Sequence, residues 1–487
     1  MKFEETEAIR TAFRSIPKAG AASVGSPPTV EEMYVLPAHS LAVDPDVSLV
    51  VGNRGMGKTF WATSLVDPVT RKAAMAALPP RPRAFHNEVE VVFGFSDREG
   101  VQGISADEIR SVANCRPESI WRGTIIHILS KRFGKQISFK NAVQLAEARP
   151  DDARQTLRRY DEILTRNKTK FLILFDQLDQ LAETWPEIQS LTKGLLKTTL
   201  SMKSYRSVRL KVFMRTDQFS DRDLFEFADS SKVHGEATRL NWFSTDLYGL
   251  AYSWLWRDLA ARQVLAPLLP LTELERNEAI ASDKAPVCLR ADPDVQAAVF
   301  DLLAGDQMGG GEKRGRPYSW IITHLMDGIG EISPRSFLHA LTVAAERIPE
   351  SNQGLAIDYG TIQAGVSSAS DIRRRELFED YPWIAEALEP LRGITVPVER
   401  SELKQKWQKE RTPENILKLH KDARAPIELA TAHNSSESRL KALERALEQI
   451  GVIQERDEAR VNIPDIFRIA AGIKRKGGIR PQQRRQI

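Results

Sequence analysis

Four short apolar runs mark the first half of the chain: Val47–Val51, Val89–Phe95, Phe171–Phe175 and Leu210–Met214. Runs of that length between turn residues predict buried strands. Helical spacing fills much of the intervening sequence, in Thr59–Leu65, Ser105–Arg166 and Trp185–Lys203. Strands separated by helices call for an α/β fold, a parallel sheet with helices on both faces. From Leu240 to about Ala364 the spacing is mainly helical, and Trp242, Leu247, Leu250, Trp254 and Leu255 form a stripe that reads as core. Ser333 fits as the N-cap and Pro334 as the first residue of one of these helices. Beyond Asp371, helices around Trp383–Leu391, Ser401–Gln408 and Ser438–Ile450 precede two short strands within Gly451–Pro464. Three helices and a two-stranded wing predict a winged-helix-like domain.

The expected organisation is an N-terminal arm at 1–45 packed on the nucleotide core, that P-loop core at 46–239, a helical lid at 240–365, a winged-helix-like domain at 366–470 and a basic tail at 471–487.

One stretch gives the first domain its chemistry. Gly52-Asn53-Arg54-Gly55-Met56-Gly57-Lys58-Thr59 matches the phosphate-loop pattern G-x-x-x-x-G-K-[ST], directly after a predicted strand and before a predicted helix. Glycines let backbone N–H groups converge on phosphate oxygens, and a helix N-terminus adds positive potential. Lys58 is placed to reach the β- and γ-phosphates, and Thr59 to set its hydroxyl on Mg²⁺. Asp176 ends an apolar strand, at the carboxyl edge where ligands sit in such sheets, and is the expected Mg²⁺-side carboxylate. Arg215-Thr216-Asp217 ends another strand at the same edge. Thr216 or Asp217 suits a sensor of the γ-phosphate or of water, and Arg215 a charge stabiliser.

Composition narrows the class. Of 487 residues, 28% are charged and 42% hydrophobic, ordinary for a globular protein. The net charge of +4 hides an asymmetry. Lys474, Arg475, Lys476, Arg480, Arg484 and Arg485 crowd the end without an acid, leaving the rest of the chain slightly negative. Cys115 and Cys288 have no partners at zinc-ligand spacing, and no apolar stretch approaches membrane-span length. The acidic start, Met1–Glu5, lacks the apolar run of a leader. A cytoplasmic protein without membrane insertion is the expectation. The third helix of the winged-helix-like domain carries Arg439, Lys441 and Arg445 but also Glu444 and Glu448, with Glu437 just before it, a mixture poor for gripping phosphates.

With these pieces the chain resembles bacterial P-loop ATPases of the additional-strand class, near the STAND and KAP groups. The phosphate loop, the strand ending Asp176-Gln177-Leu178-Asp179, the strand ending Arg215-Thr216-Asp217, Ser333-Pro334-Arg335 in the lid and the winged-helix-like end carry the resemblance, over roughly residues 40–470. It implies ATP with Mg²⁺ as cofactors, Arg335 as a nucleotide-contacting residue of the lid, and a regulatory or anti-phage defence setting. One position departs from the pattern. Such ATPases usually carry an acid after the Mg²⁺ aspartate, whereas this chain has Gln177, and Asp179 is the nearest substitute base. Glutamine orients water but cannot take its proton, so slow turnover is expected.

The leading expectation is therefore an ATPase acting as a switch or motor. The alternative is an ATP-gated regulator that binds nucleic acid through the winged-helix-like domain and the basic tail. A small-molecule kinase lacks a second substrate motif. DNA, RNA and an effector protein stand as candidate partners, and the sequence assigns no oligomeric state.

Overall fold

The computed structural model describes residues 2–17, 27–78, 88–97, 101–309, 315–349, 354–420 and 425–476. The chain opens with a helix, α1 (Phe3–Ser15), and the expected apolar runs follow as strands β1 (Leu49–Val51), β2 (Glu88–Phe95), β3 (Thr169–Phe175) and β4 (Val208–Met214). A fifth strand, β5 (Thr238–Arg239), is too short for periodicity to show. All five are parallel, in the order β2-β3-β4-β1-β5. β4 thus stands between β1 and β3.

The main helices of this part are α2 (Lys58–Val66), α3 (Pro117–Arg132), α4 (Pro150–Arg166) and α5 (Trp185–Met202). Strand alternation sorts the two faces. Phe171, Ile173 and Phe175 of β3 join a core with Trp121 of α3, Leu157 of α4 and Leu195 of α5. Leu172 and Leu174 are equally buried but point the other way. α2 packs on β2 and β4, and its buried Trp61, Ala62 and Leu65 lie outside the first core, which puts α2 on that second face.

At the N-terminal edge of the sheet three cations clamp the turn before β1. Lys211, fully buried in β4, donates to the carbonyls of Asp44 (2.9 Å) and Val47 (2.6 Å). Asp46 is bound by Lys170 and by Arg209 (2.8 Å). Burial pulls the Lys211 pKa down to about 7.

Two compact units divide the chain: Ser23–Asn241, and Met1–Ala22 together with Trp242–Ile487. The arm expected to lie against the nucleotide core begins with a helix that packs elsewhere. α1 buries Ile9, Ala12 and Phe13 in the core of the helical unit, and there Arg10 donates to the Leu355 carbonyl (2.8 Å) and Arg14 to that of Ala345 (3.0 Å). Its apolar positions match that core, which the sequence placed far downstream.

In the helical unit, α6 (Pro334–Arg347) packs along α7 (Tyr359–Asp380), which also touches α11 (Asp465–Arg468). Ser333 caps α6 with Pro334 as its first residue, as the sequence predicts. Helices α8 (Arg400–Lys409), α9 (Thr412–Leu419) and α10 (Ser436–Gln449) surround a small antiparallel sheet. There β9 (Arg460–Asn462) lies between β7 (Val398–Glu399) and β8 (Gln454–Glu455). The arrangement is winged-helix-like. Ahead of β7, β6 (Thr395–Val396) pairs in parallel with β10 (Lys474–Arg475). One core runs from α1 through the lid helices to Ile473, so the lid and the winged-helix-like part share it.

Candidate nucleotide site

The phosphate loop leaves β1 at Gly52, whose N–H bonds the Met214 carbonyl at the end of β4 (3.1 Å). A Cβ on Gly52 would stand 3.3 Å from Met56 Cβ and 3.4 Å from Leu240 Cβ, so glycine permits this approach. Gly57 adopts φ +100° with open space around it, so its requirement is conformational rather than steric. α2 starts at the next residue. Met56 is buried and faces the interior, while Asn53 and Arg54 are partly exposed in the bend.

Lys58 turns back over the loop and donates to the carbonyls of Gly52 (2.7 Å) and Asn53 (3.0 Å). Its stem is partly exposed, but its ammonium is enclosed. Burial pulls its pKa down to about 8, against the opposing pull of Asp176 and, more weakly, Asp217 and Asp179; Arg215 adds to the lowering.

Thr59 Oγ1 donates to Asp176 Oδ2 at 2.8 Å, joining residues 117 positions apart. A hydroxyl and a carboxylate are hard oxygen donors of the kind Mg²⁺ takes together with substrate phosphates. The pair fits that ion, with Thr59 and Asp176 as the residues that would hold it. Asp176 is only 5% exposed. Gln177 follows in a left-handed conformation (φ +57°), and its carbonyl accepts the Gln180 N–H (2.9 Å). That turn leaves Gln177 half-buried beside Asp176 and carries Asp179 to the exposed surface.

At the end of β4, Arg215 Nε lies 3.0 Å from Asp217 Oδ1, both side chains mostly buried. Thr216 Oγ1 is buried without a hydrogen-bond partner among the described residues. Lys58, Thr59, Asp176, Arg215, Thr216 and Asp217 therefore gather at the carboxyl edge of β1, β3 and β4. Arg335 belongs to the helical unit. There its Nη1 pairs with Glu376 (2.7 Å), whose other oxygen lies 3.4 Å from Arg373.

Two residues escaped the sequence reading. His39 is buried, accepts the Trp61 indole N–H at Nδ1 (3.3 Å) and contacts the Asn241 carbonyl through Nε2 (3.0 Å). It joins the segment before β1, the helix after the phosphate loop and the last residue of the unit. Burial lowers its pKa. Glu376 escaped because its partner Arg335 is 41 residues away; only the charge at each position was visible.

The chain matches no known family model and no curated protein. Among solved structures it is similar to the ORC2 protein of Aeropyrum pernix, determined as ADPNP–ADP complexes, with 13% identity and a TM-score of 0.38, covering 89% of this chain and 88% of that one. It is also similar to the ORC1 protein of the same organism in complex with DNA, with 14% identity and a TM-score of 0.35 over 93% and 94% of the two chains. PCH-2 of C. elegans shows 10% identity and a TM-score of 0.25 over 71% of this chain and 65% of that one. Likeness this distant transfers neither a family nor an activity. The P-loop NTPase architecture rests instead on the strand order, the loop and the Thr59–Asp176 contact.

Proposed function

We propose that this chain binds ATP with Mg²⁺ on the phosphate loop and hydrolyses it slowly, as a switch whose bound state outlasts each encounter. The Thr59–Asp176 hydrogen bond carries the reading, because it brings the loop hydroxyl and the strand-end carboxylate to one point beside Lys58. Mg²⁺, when bound there, would neutralise charge on the phosphates. The protein's own part is to hold them. Loop N–H groups and the Lys58 ammonium grip the phosphates, Arg215 offers a cation, and the unpartnered Thr216 hydroxyl suits a sensor of phosphate or water. Gln177, next to Asp176 in the chain, would orient the attacking water without accepting its proton. Lys58→Ala should abolish ATP binding in a folded chain; retained affinity, read by equilibrium titration, would refute the assignment. A cytoplasmic location fits the absence, among the described residues, of any helix long and apolar enough to cross a membrane. Anti-phage defence, with an effector protein as partner, is the setting suggested by the resemblance. Plaque counts with the parent and Lys58→Ala chains test it, and equal protection by both would rule out an ATP-dependent role.

A second reading, nucleic-acid binding gated by ATP, is favoured by the charge distribution on α10. The mixture that looks unfavourable in sequence is sorted in space. Glu444 is buried under Arg400 and Lys404 (2.9 Å), and Glu448 also faces Arg400 (3.2 Å). Lys441, Arg445 and Gln449 are left on the exposed side, with Glu437 alone pairing to Lys441 (2.5 Å). Of the basic tail, Arg475 is committed to Asp465 (2.8 Å), and 477–487 lie outside the described residues. Arg445→Ala should lower DNA affinity and its salt slope. DNA affinity that ignores both ATP and this substitution would dismiss the reading.

A further inference from the structure

Helix α4 has a basic flank that the nucleotide site does not use. Arg154, Arg158, Asp161 and Thr165 recur at helical spacing and share one side. Two of them fix what lies against it. Asp161 accepts the N–H groups of Arg206 (2.9 Å), Ser207 (2.7 Å) and Val208 (2.9 Å), and Thr165 Oγ1 lies 2.9 Å from Ser207 Oγ. The turn Tyr205–Ser207 is thereby held beside Arg158, one helical turn from Asp161. α3 packs on α4, and the charge of its Arg122 acts on Tyr205. Arg158, Arg122 and Arg154 all stand close enough to the Tyr205 ring to favour its phenolate, yet burial dominates and keeps the phenol protonated.

Few neighbours neutralise these cations. Arg154 pairs with Asp151 (3.1 Å). Glu118, which faces Arg122, is already bound by Lys197 (2.9 Å). Asp161 is occupied by its three N–H groups. Among the described residues, the Arg122 and Arg158 guanidiniums and the Tyr205 hydroxyl have no ion-pair or hydrogen-bond partner. Arg158 is exposed; Arg122 and Tyr205 are half-buried. Every polar group offered is a donor, since a guanidinium has no acceptor and a protonated phenol gives its O–H. Two guanidiniums that can only donate, beside a phenol able to donate its O–H, suit an oxyanion with several free lone pairs. The turn enters β4 at its N-terminal end, whereas the phosphate loop follows the C-terminal end of the parallel neighbour β1. A strand of seven residues, about 23 Å, separates the two edges.

We propose that Arg122, Arg158 and Tyr205, flanked by Arg154, form a second phosphate-binding site on the sheet edge opposite the nucleotide. A free oligophosphate and a nucleic-acid backbone present the same chemistry, and two probes separate them. The full-length chain carrying Lys58→Ala, which disables the loop, is titrated with sodium tripolyphosphate and with a labelled oligothymidylate at low salt. The proposal expects at least one probe to bind. Arg122→Gln and Arg158→Gln should each weaken binding about tenfold, the loss of one charged hydrogen bond, and Tyr205→Phe by less. Tripolyphosphate binding alone identifies a free phosphate ligand. Oligothymidylate binding whose salt slope falls by about one for each arginine removed identifies a backbone. Arg158→Gln alters an exposed side chain and carries the test alone if Arg122→Gln disturbs the fold. Failure of both probes to bind, or binding unchanged by Arg158→Gln, overturns the site.

Discussion

If Lys58 is the cation that grips the phosphates, ATP affinity must depend on pH in a way its surroundings fix. In the free chain burial holds its pKa near 8. Bound phosphates add negative charge beside the ammonium and raise that pKa, so ATP selects the protonated lysine. The sign follows directly. Well below pH 8 the free chain is already protonated and affinity is full. Above it a proton must be taken up on binding, and affinity falls as pH rises. With a free-chain value near 8, affinity should be about tenfold weaker at pH 9 than at pH 7, roughly 1.4 kcal/mol.

Two measurements check this. Equilibrium titration with a fluorescent ATP analogue between pH 6.5 and 9.5 should show the decline. Calorimetry in buffers of different ionisation heat should show proton uptake near zero at pH 7, about half a proton at pH 8 and close to one at pH 9. ATP itself has finished ionising over most of that range, because a phosphate's last proton leaves near pH 6. A flat affinity with no proton uptake would mean that Lys58 is not the titrating partner of the phosphates, and the assignment of its ammonium to them would fall.

Two further outcomes follow from particular side chains. Gln177→Glu should speed single-turnover hydrolysis, within the ~10²–10⁴-fold that a general base supplies, while Asp179→Asn should change little; an unaltered or slower rate in Gln177→Glu with ATP affinity kept would refute that role. Asp327 is buried in the helical unit with its pKa raised to about 7, above its unfolded value of 3.8, so its contribution favours folding in acid and is lost as pH rises towards 7. Asp327→Asn, which keeps an acceptor for the Ile329 and Glu331 N–H groups, should raise stability at pH 8 by at most about 4 kcal/mol and at pH 4 by less than about 1 kcal/mol; equal effects at the two pH values would refute the buried-charge explanation.

The legible parts of this molecule share one property: their cause is local. The phosphate loop is eight consecutive residues whose glycine positions are dictated by backbone geometry. β3 announced itself by an unbroken apolar run, Phe171–Phe175, because both of its faces are covered, whereas β2 and β4 were legible despite Glu90 and Lys211 within their runs. The helix at Pro334 was readable from its cap and first turn. What stayed hidden depends on pairing at a distance. The order of strands is not periodic information, and β5 makes too few pairs to leave a pattern. α1 carries the correct apolar face but no mark of which core it enters. His39 reads as one of eight scattered histidines until Trp61 and Asn241, the latter 202 residues away, are placed beside it.

The acids of α10 show why composition misleads about surfaces. Counted along the helix, Glu444 and Glu448 offset Arg439 and Arg445, and the segment looks indifferent to anions. Yet burying a carboxylate is costly unless cations meet it, and Arg400 and Lys404 on the neighbouring helix supply them. The acids thus contribute little to the outward field; of the basic residues with which they alternate, Arg439 is met by Glu414 and Lys441 by Glu437, and Arg445 is the one left without an ion pair among the described residues. On α4 the pairing acts on the cations instead. Arg154 is tied to Asp151 and adds little, while Arg158 forms no ion pair among the described residues and stays available to a ligand. In both helices the charge available to a ligand is set by which residues the fold has already paired, not by how many the sequence contains.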